Sequence, residues 1–258
     1  MGKSGKKRIL LKVGTNVLTK ETNQISRGKI EDIARQISFL KDDYEFIIVS
    51  SGAIAVAKQF VELESNGKEI NVKQALASIG QPHLMRIFQE NFRELGLLTS
   101  QCLLSYSDFK MEESRKNIMN TINVLIENNY IPIINENDTV ATDEIKFGDN
   151  DKLSALTASL LSVDLLLIAT NTNGIYTKKS VESAKKETIR EVVDIDVLKE
   201  QIYNSKSAQG TGGMKTKIKA AKIAQKATIE TWIVNGLQDN FIIDSLNSKS
   251  IFTKIKIK

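Results

Sequence analysis

The chain predicts an α/β fold, a three-layer α/β/α sandwich around a mainly parallel central sheet. Short β-branched runs alternate with stretches of helical periodicity along most of the 258 residues, the pattern of strands joined by crossover helices. Runs such as ILLKV, IPII and LLLIA are almost continuously apolar, as strands buried on both faces must be. Polar breaks follow four of the runs, at Gly14-Thr15-Asn16, Ser50-Ser51-Gly52, Asn135–Asp138 and Thr170–Gly174. Open parallel sheets present their ligand sites at such strand ends.

In order, Lys7–Gly14 reads as a first strand and its turn. Ser26 is placed to cap a helix over Lys29–Leu40, where Ile30, Ile33, Ile37 and Leu40 fall at helical spacing. Glu45–Val49 is a second strand, broken sharply by Ser50–Ala53 before another helical stretch. A loop around Ser65–Gly67 leads into the helical pattern Gln74–Leu95, interrupted by Gly80 and Pro82. Leu97–Leu104 is a third strand, Glu113–Asn128 a helix, Ile131–Ile134 a fourth strand, Lys152–Leu161 a helix and Asp164–Ala169 a fifth strand. The Lys- and Glu-rich segment Thr177–Thr188 reads as exposed irregular structure or a flap. Met214–Lys226 is a helix and Thr228–Val234 a strand. The alternation IFTKIKIK over Ser250–Ile257 suits a strand at a sheet margin with one wet face.

Two prolines, no low-complexity linker and no internal repeat favour a single domain over 1–258. Hydrophobic content of 41% and charged content of 26% are those of a globular protein. No run approaches the ~20 apolar residues of a membrane span, and the basic start has no secretion-signal pattern. The single cysteine, Cys102, excludes an internal disulfide and reads as a buried, inert thiol. A reducing, cytoplasmic location is expected. A net charge of +5 suits an anionic small substrate as well as nucleic acid, and no aromatic-basic RNA motif accompanies it. One histidine and one cysteine exclude a Cys/His metal cluster and disfavour a Ser-His-Asp hydrolase. His83, after Pro82, reads as structural.

The densest polarity lies in Ile131–Ser159, where an apolar run stops at Asn135-Glu136-Asn137-Asp138 and Gly148-Asp149-Asn150-Asp151 opens a helix. A helix cap needs one such residue, so the surplus points to a site. Lys12 sits within an apolar strand, where a charge is expensive without a partner. Gly210-Thr211-Gly212-Gly213-Met214-Lys215-Thr216-Lys217 is a glycine-rich turn feeding a helix, suited to phosphate oxygens. It is not a Walker A loop, because Met214 stands where that pattern needs glycine. Lys217 opposes the helix dipole, a misfit that a nearby phosphate would relieve.

Together LKVGTN, VSSGAIA, INENDTVATDEIKFGDNDKLSA and GTGGMKTK resemble the glutamate 5-kinases of the amino-acid kinase family, from about Ile9 to about Asn235. The resemblance implies transfer of a phosphoryl group from ATP, with Mg²⁺, to the side-chain carboxylate of L-glutamate, in the first step of proline biosynthesis. It implies feedback inhibition by proline and a homo-oligomer, dimer or tetramer. By position, Ser51, Asp138 and Asn150 would hold glutamate, with Asp138 suited to its ammonium. Lys12 and Lys217 would lie on the transferring group, and Asp151 would orient both. Gly14, Thr170, Asn171 and the run Thr211, Gly212, Gly213, Met214, Lys215, Thr216, together with both lysines, would line the nucleotide. Residues up to about 160 would form the glutamate-binding part and 161–258 the ATP-binding part. The rivals are a kinase for N-acetylglutamate or aspartate, and a non-catalytic sensor of proline or nucleotide.

Three departures accompany the resemblance. Asn171 stands where Asp is usual, Lys178-Lys179-Ser180 replaces the usual Asp-Pro-Arg, and the chain ends at Lys258 with no room for an appended PUA domain.

Overall fold

The computed structural model describes residues 5–63, 70–141, 150–180, 183, 185–198 and 213–257. Its elements, in order, are β1 (Lys7–Val13), α1 (Thr15–Leu18), α2 (Arg27–Leu40), β2 (Tyr44–Ser50), α3 (Ala53–Ala57), α4 (Ile70–Arg93) and β3 (Leu98–Leu104). There follow α5 (Glu112–Glu127), β4 (Tyr130–Glu136), α6 (Asp151–Leu161), β5 (Leu165–Thr170), β6 (Glu191–Val192) and α7 (Ile195–Leu198). The last are α8 (Met214–Lys226), β7 (Glu230–Asn235), α9 (Phe241–Leu246) and β8 (Thr253–Ile255).

The strands form one sheet in the order β3-β4-β2-β1-β5-β7-β8-β6. Every pairing is parallel except β7 with β8. Alternate residues of β1 serve opposite layers. Ile9, Leu11 and Val13 join the cluster built from α2, α4 and α9, and Leu10 joins the cluster built from α5, α6 and α8. Period two therefore puts Lys12 on the Leu10 face, toward α6. The result is the expected α/β/α sandwich.

Strand order reverses at β1, which lies between β2 and β5. A parallel sheet opens a crevice at such a switch point, beyond the carboxyl ends of its strands.

The central strands match the apolar runs read from sequence, and Ser26 caps α2 by accepting from the Lys29 amide at 3.2 Å. Helix α4 runs unbroken through Gly80 and Pro82. A methyl group on Gly80 would lie 1.8 Å from the Ala53 carbonyl oxygen, so glycine is what lets α4 lie directly on α3. His83 packs its ring on Phe60, with centroids 4.6 Å apart, which agrees with a structural role. Cys102 is only half-buried because β3 is an edge strand, and burial pushes its thiol pKa up.

One expectation needs correction. Strand β8 is shorter than Ser250–Ile257 and is not the sheet margin, because the two-residue β6 pairs outside it. So short a strand leaves no periodic trace in the sequence. The described part of Thr177–Thr188 is mostly exposed and irregular, as the sequence suggests, with hydrogen bonds closing it on itself. The Thr177 amide donates to the Glu187 carbonyl at 2.9 Å, and the Glu187 amide donates to Ser180 Oγ at 2.9 Å. The loop around Ser65–Gly67 lies outside the described residues. Among the described residues no helix is long and apolar enough to cross a membrane.

Candidate active site

Lys12 reaches the end of β1 almost wholly buried, and its neighbour Gly14 explains how. A Cβ on Gly14 would sit 3.2 Å from Lys12 Nζ, so the missing side chain makes room for the ammonium. Its counter-ion is Asp151, the first residue of α6. Lys12 Nζ lies 2.8 Å from Asp151 Oδ1, with the two side chains 3% and 0% exposed.

Lys217 approaches from the other side. It lies four residues into α8, which packs against α6, and its Nζ donates to Asp151 Oδ2 at 3.0 Å. The Thr216 hydroxyl donates to the same oxygen at 2.8 Å. One buried carboxylate thus holds two ammonium groups from distant parts of the chain. Such an arrangement is costly unless it is fully paired, and it sets two ammonium groups against one carboxylate. It suits an anion that arrives with its own charge.

Helix α8 starts at Gly213 with no side-chain cap and no acidic residue in its first turn. Its first amide groups and the dipole suit phosphate. Met214 and Thr216 are half-buried, whereas Lys215 points outward and is exposed. Thr211 and Gly212 lie outside the described residues.

The second group of residues gathers at β2, β4 and α6. Asn150 caps α6 and is fully buried. Its Nδ2 donates to the Ser50 carbonyl at 2.8 Å, to Ser51 Oγ at 3.1 Å and to Asn135 Oδ1 at 2.7 Å. That leaves Asn150 Oδ1 as a buried acceptor with no hydrogen-bond partner among the described residues, and Asp138 Oδ1 is another. Unpaired buried acceptors are uncommon and call for an explanation. Burial pushes the Asp138 carboxyl up from 3.8 to about 6, because the charged form is poorly solvated there.

At β5 and β7 the Thr170 carbonyl accepts from the Gly236 amide at 2.8 Å. Asn171 Nδ2 donates to Glu21 Oε1 at 2.7 Å. An Asp at this position would set two carboxylates against each other, so Asn171 is matched to Glu21. The residues before β6 are held in turn from β8, where Thr253 Oγ1 accepts from the Ile175 amide at 2.8 Å.

The structure therefore brings Lys12, Asp151 and Lys217 into direct contact and links Ser51 with Asn150. It leaves Asp138 on the turn after β4. The sequence reading missed Gln81 and the Thr216 bond to Asp151. The available signal for Gln81 was a polar residue on the α4 face that also carries Ala77, Gly80 and Leu84.

Comparison with known proteins places the chain in a family. The family model described as the amino acid kinase family matches residues 7–235. The chain belongs to the amino acid kinase family. It is 41% identical over 243 residues to the glutamate 5-kinase of Vibrio campbellii, covering 93% of this chain and 64% of that one. It is 40% identical over 248 residues to the glutamate 5-kinase of Aliivibrio salmonicida, covering 95% and 67%. For the glutamate 5-kinase of Yersinia pestis the figures are 39% over 253 residues, 97% and 69%. The chain thus spans about two thirds of the length of these relatives.

Solved structures show the same family fold at low sequence identity. Carbamate kinase from Giardia lamblia bound to AMP-PNP superposes with a TM-score of 0.69 at 16% identity, covering 98% of this chain and 99% of that one. UMP kinase from Ureaplasma parvum gives 0.66 at 19%, covering 97% and 99%.

Proposed function

We propose that the protein transfers the terminal phosphoryl group of ATP to the side-chain carboxylate of L-glutamate, forming L-glutamyl 5-phosphate, the first step of proline biosynthesis. The buried Lys12–Asp151–Lys217 arrangement carries this reading. The likeness to glutamate 5-kinases over nearly the whole chain supports it.

Phosphoryl transfer demands in-line positioning and charge neutralisation more than covalent chemistry. The acceptor carboxylate is ionised at neutral pH, so no general base is required, and the site contains no histidine. Lys12 and Lys217 offset the charge shared between nucleophile and leaving group, while Asp151 fixes their separation. Gly14, Thr170, Asn171 and the Gly213–Lys217 helix start line the nucleotide. Mg²⁺ binds few protein ligands and several phosphate oxygens. The described residues offer no cluster of His, Cys, Asp or Glu to hold a metal ion, so Mg²⁺ would enter with the nucleotide and would supply further charge neutralisation.

The acceptor end falls to Ser51, Asp138 and Asn150. An ammonium suits a buried acceptor such as Asp138 Oδ1 or Asn150 Oδ1, neither of which has a hydrogen-bond partner among the described residues. The residues up to about 160 thus form the glutamate part of a single domain, and 161–258 form the nucleotide part. The reading includes inhibition by proline and assembly as a dimer or tetramer in the cytoplasm.

Trapping the acyl phosphate with hydroxylamine tests the reaction. With ATP and Mg²⁺, glutamate should give hydroxamate, whereas N-acetylglutamate, lacking the cation, should give less than about one hundredth of that rate. Equal turnover of the acylated substrate would remove the ammonium assignment.

A further inference from the structure

The acceptor pocket rests on a buried hydrogen-bond chain that begins outside it, on α4. Asn135 Nδ2, at the end of β4, donates to Gln81 Oε1 at 2.8 Å. Asn135 Oδ1 accepts from the Glu136 backbone amide at 2.9 Å and from Asn150 Nδ2 at 2.7 Å. The Glu136 amide can only donate and the Ser50 carbonyl can only accept, so both asparagine side chains have a determined orientation. Asn150 must turn its NH₂ toward Ser50, Ser51 and Asn135, and its Oδ1 the other way.

Every member is buried: Gln81 is 9% exposed, Asn135 2%, Asn150 0% and Ser51 6%. Without an acceptor at position 81, Asn135 Nδ2 is left as an orphaned buried donor. The side chain then turns to find a partner, and Asn150 loses its fixed acceptor.

The depth of α4 is set one residue earlier. Gly80 permits backbone contact with Ala53, immediately after the Ser50-Ser51-Gly52 turn. The same helix holds the Asp138 turn, since Gln74 Nε2 donates to the Asp138 carbonyl at 2.9 Å. Ser78 Oγ lies 3.2 Å from Thr139 Oγ1, within hydrogen-bond distance.

We propose that Gln81 is a positioning residue for the acceptor pocket, acting through Asn135 to hold the Asn150 amide and the Ser51 hydroxyl in their substrate-binding orientation. The inference deepens, and rests on, the reading of this pocket as the glutamate site.

The test compares Gln81→Met, which keeps the volume and loses the acceptor, with Gln81→Glu, which keeps it. Steady-state rates of the full chain are measured with glutamate and ATP varied separately. In Gln81→Met the glutamate KM should rise about tenfold, the scale of one lost buried hydrogen bond. Its ATP KM and kcat should stay within about twofold of wild type, and Gln81→Glu should bring the glutamate KM back to within about threefold. An unchanged glutamate KM in Gln81→Met, or an equal rise for both substrates, overturns the proposal. So does a Gln81→Glu enzyme with a tenfold defect, which keeps the proposal falsifiable if Gln81→Met does not fold. Wild-type protein that turns over no glutamate would instead remove the underlying reading.

Discussion

Asp151→Asn is the most informative single change, because it keeps the shape of the side chain and removes only its charge. In the native site Asp151 lies 2.8 Å from Lys12 Nζ, 3.0 Å from Lys217 Nζ and 2.8 Å from Thr216 Oγ1. An asparagine oxygen can accept from one of these groups, but its NH₂ must then face a donor. Two buried ammoniums would lose the carboxylate they share and repel. Removing one partner of a buried ion pair costs about 3–5 kcal/mol. If most of that falls on the transferring geometry, it corresponds to a rate loss of at least about 10²-fold. Hydroxamate formation at saturating glutamate and ATP measures the rate, and thermal unfolding run in parallel confirms that the variant is folded. A folded Asp151→Asn protein within tenfold of the wild-type rate would refute the role assigned to this carboxylate.

Two further predictions follow from the acceptor side. Asp138 is raised to about 6, so in free enzyme it is mostly protonated below that pH and cannot pair with an ammonium. The glutamate KM should therefore fall about tenfold per pH unit on approaching 6 from below and level off above about 7, while Asp138→Asn should show a high, pH-independent KM. Because the folded value exceeds the ordinary 3.8, the same group loses stability as pH rises from about 4 to about 6, and Asp138→Asn should flatten that part of the melting profile. Gly80→Ala places a carbon 1.8 Å from the Ala53 carbonyl oxygen. It should lower the melting temperature by at least about 5 °C and raise the glutamate KM, and a wild-type melt would show that α4 does not lie on α3 as described.

The central strands were legible because burial on both faces demands continuous apolar runs, and β1, β4 and β5 have them. The short α1, α7 and α9 and the two-residue β6 were not, since none of them completes enough periods to stand out. Ser51, Asn150 and Asp151 could be singled out as surplus polarity at strand and helix ends. What sequence alone could not supply was the meeting of Lys12 with Lys217, which depends on α6 packing against α8. Gln81 was hidden because a polar residue in an amphipathic helix normally reads as solvated. Lys29 was hidden for the same reason. It is fully buried, donating to Asp32 Oδ2 and Asp239 Oδ1 at 3.2 Å each and to the Gln238 carbonyl at 3.0 Å, and it ties α2 to the turn before α9.

Lys217→Met tests the phosphoryl-transfer assignment most directly, since it retains the aliphatic stem within α8 and deletes only the ammonium. The account predicts a fall in kcat of about 10²–10³-fold, with the glutamate KM within about threefold of wild type. A folded variant that keeps more than a third of the wild-type kcat would contradict it.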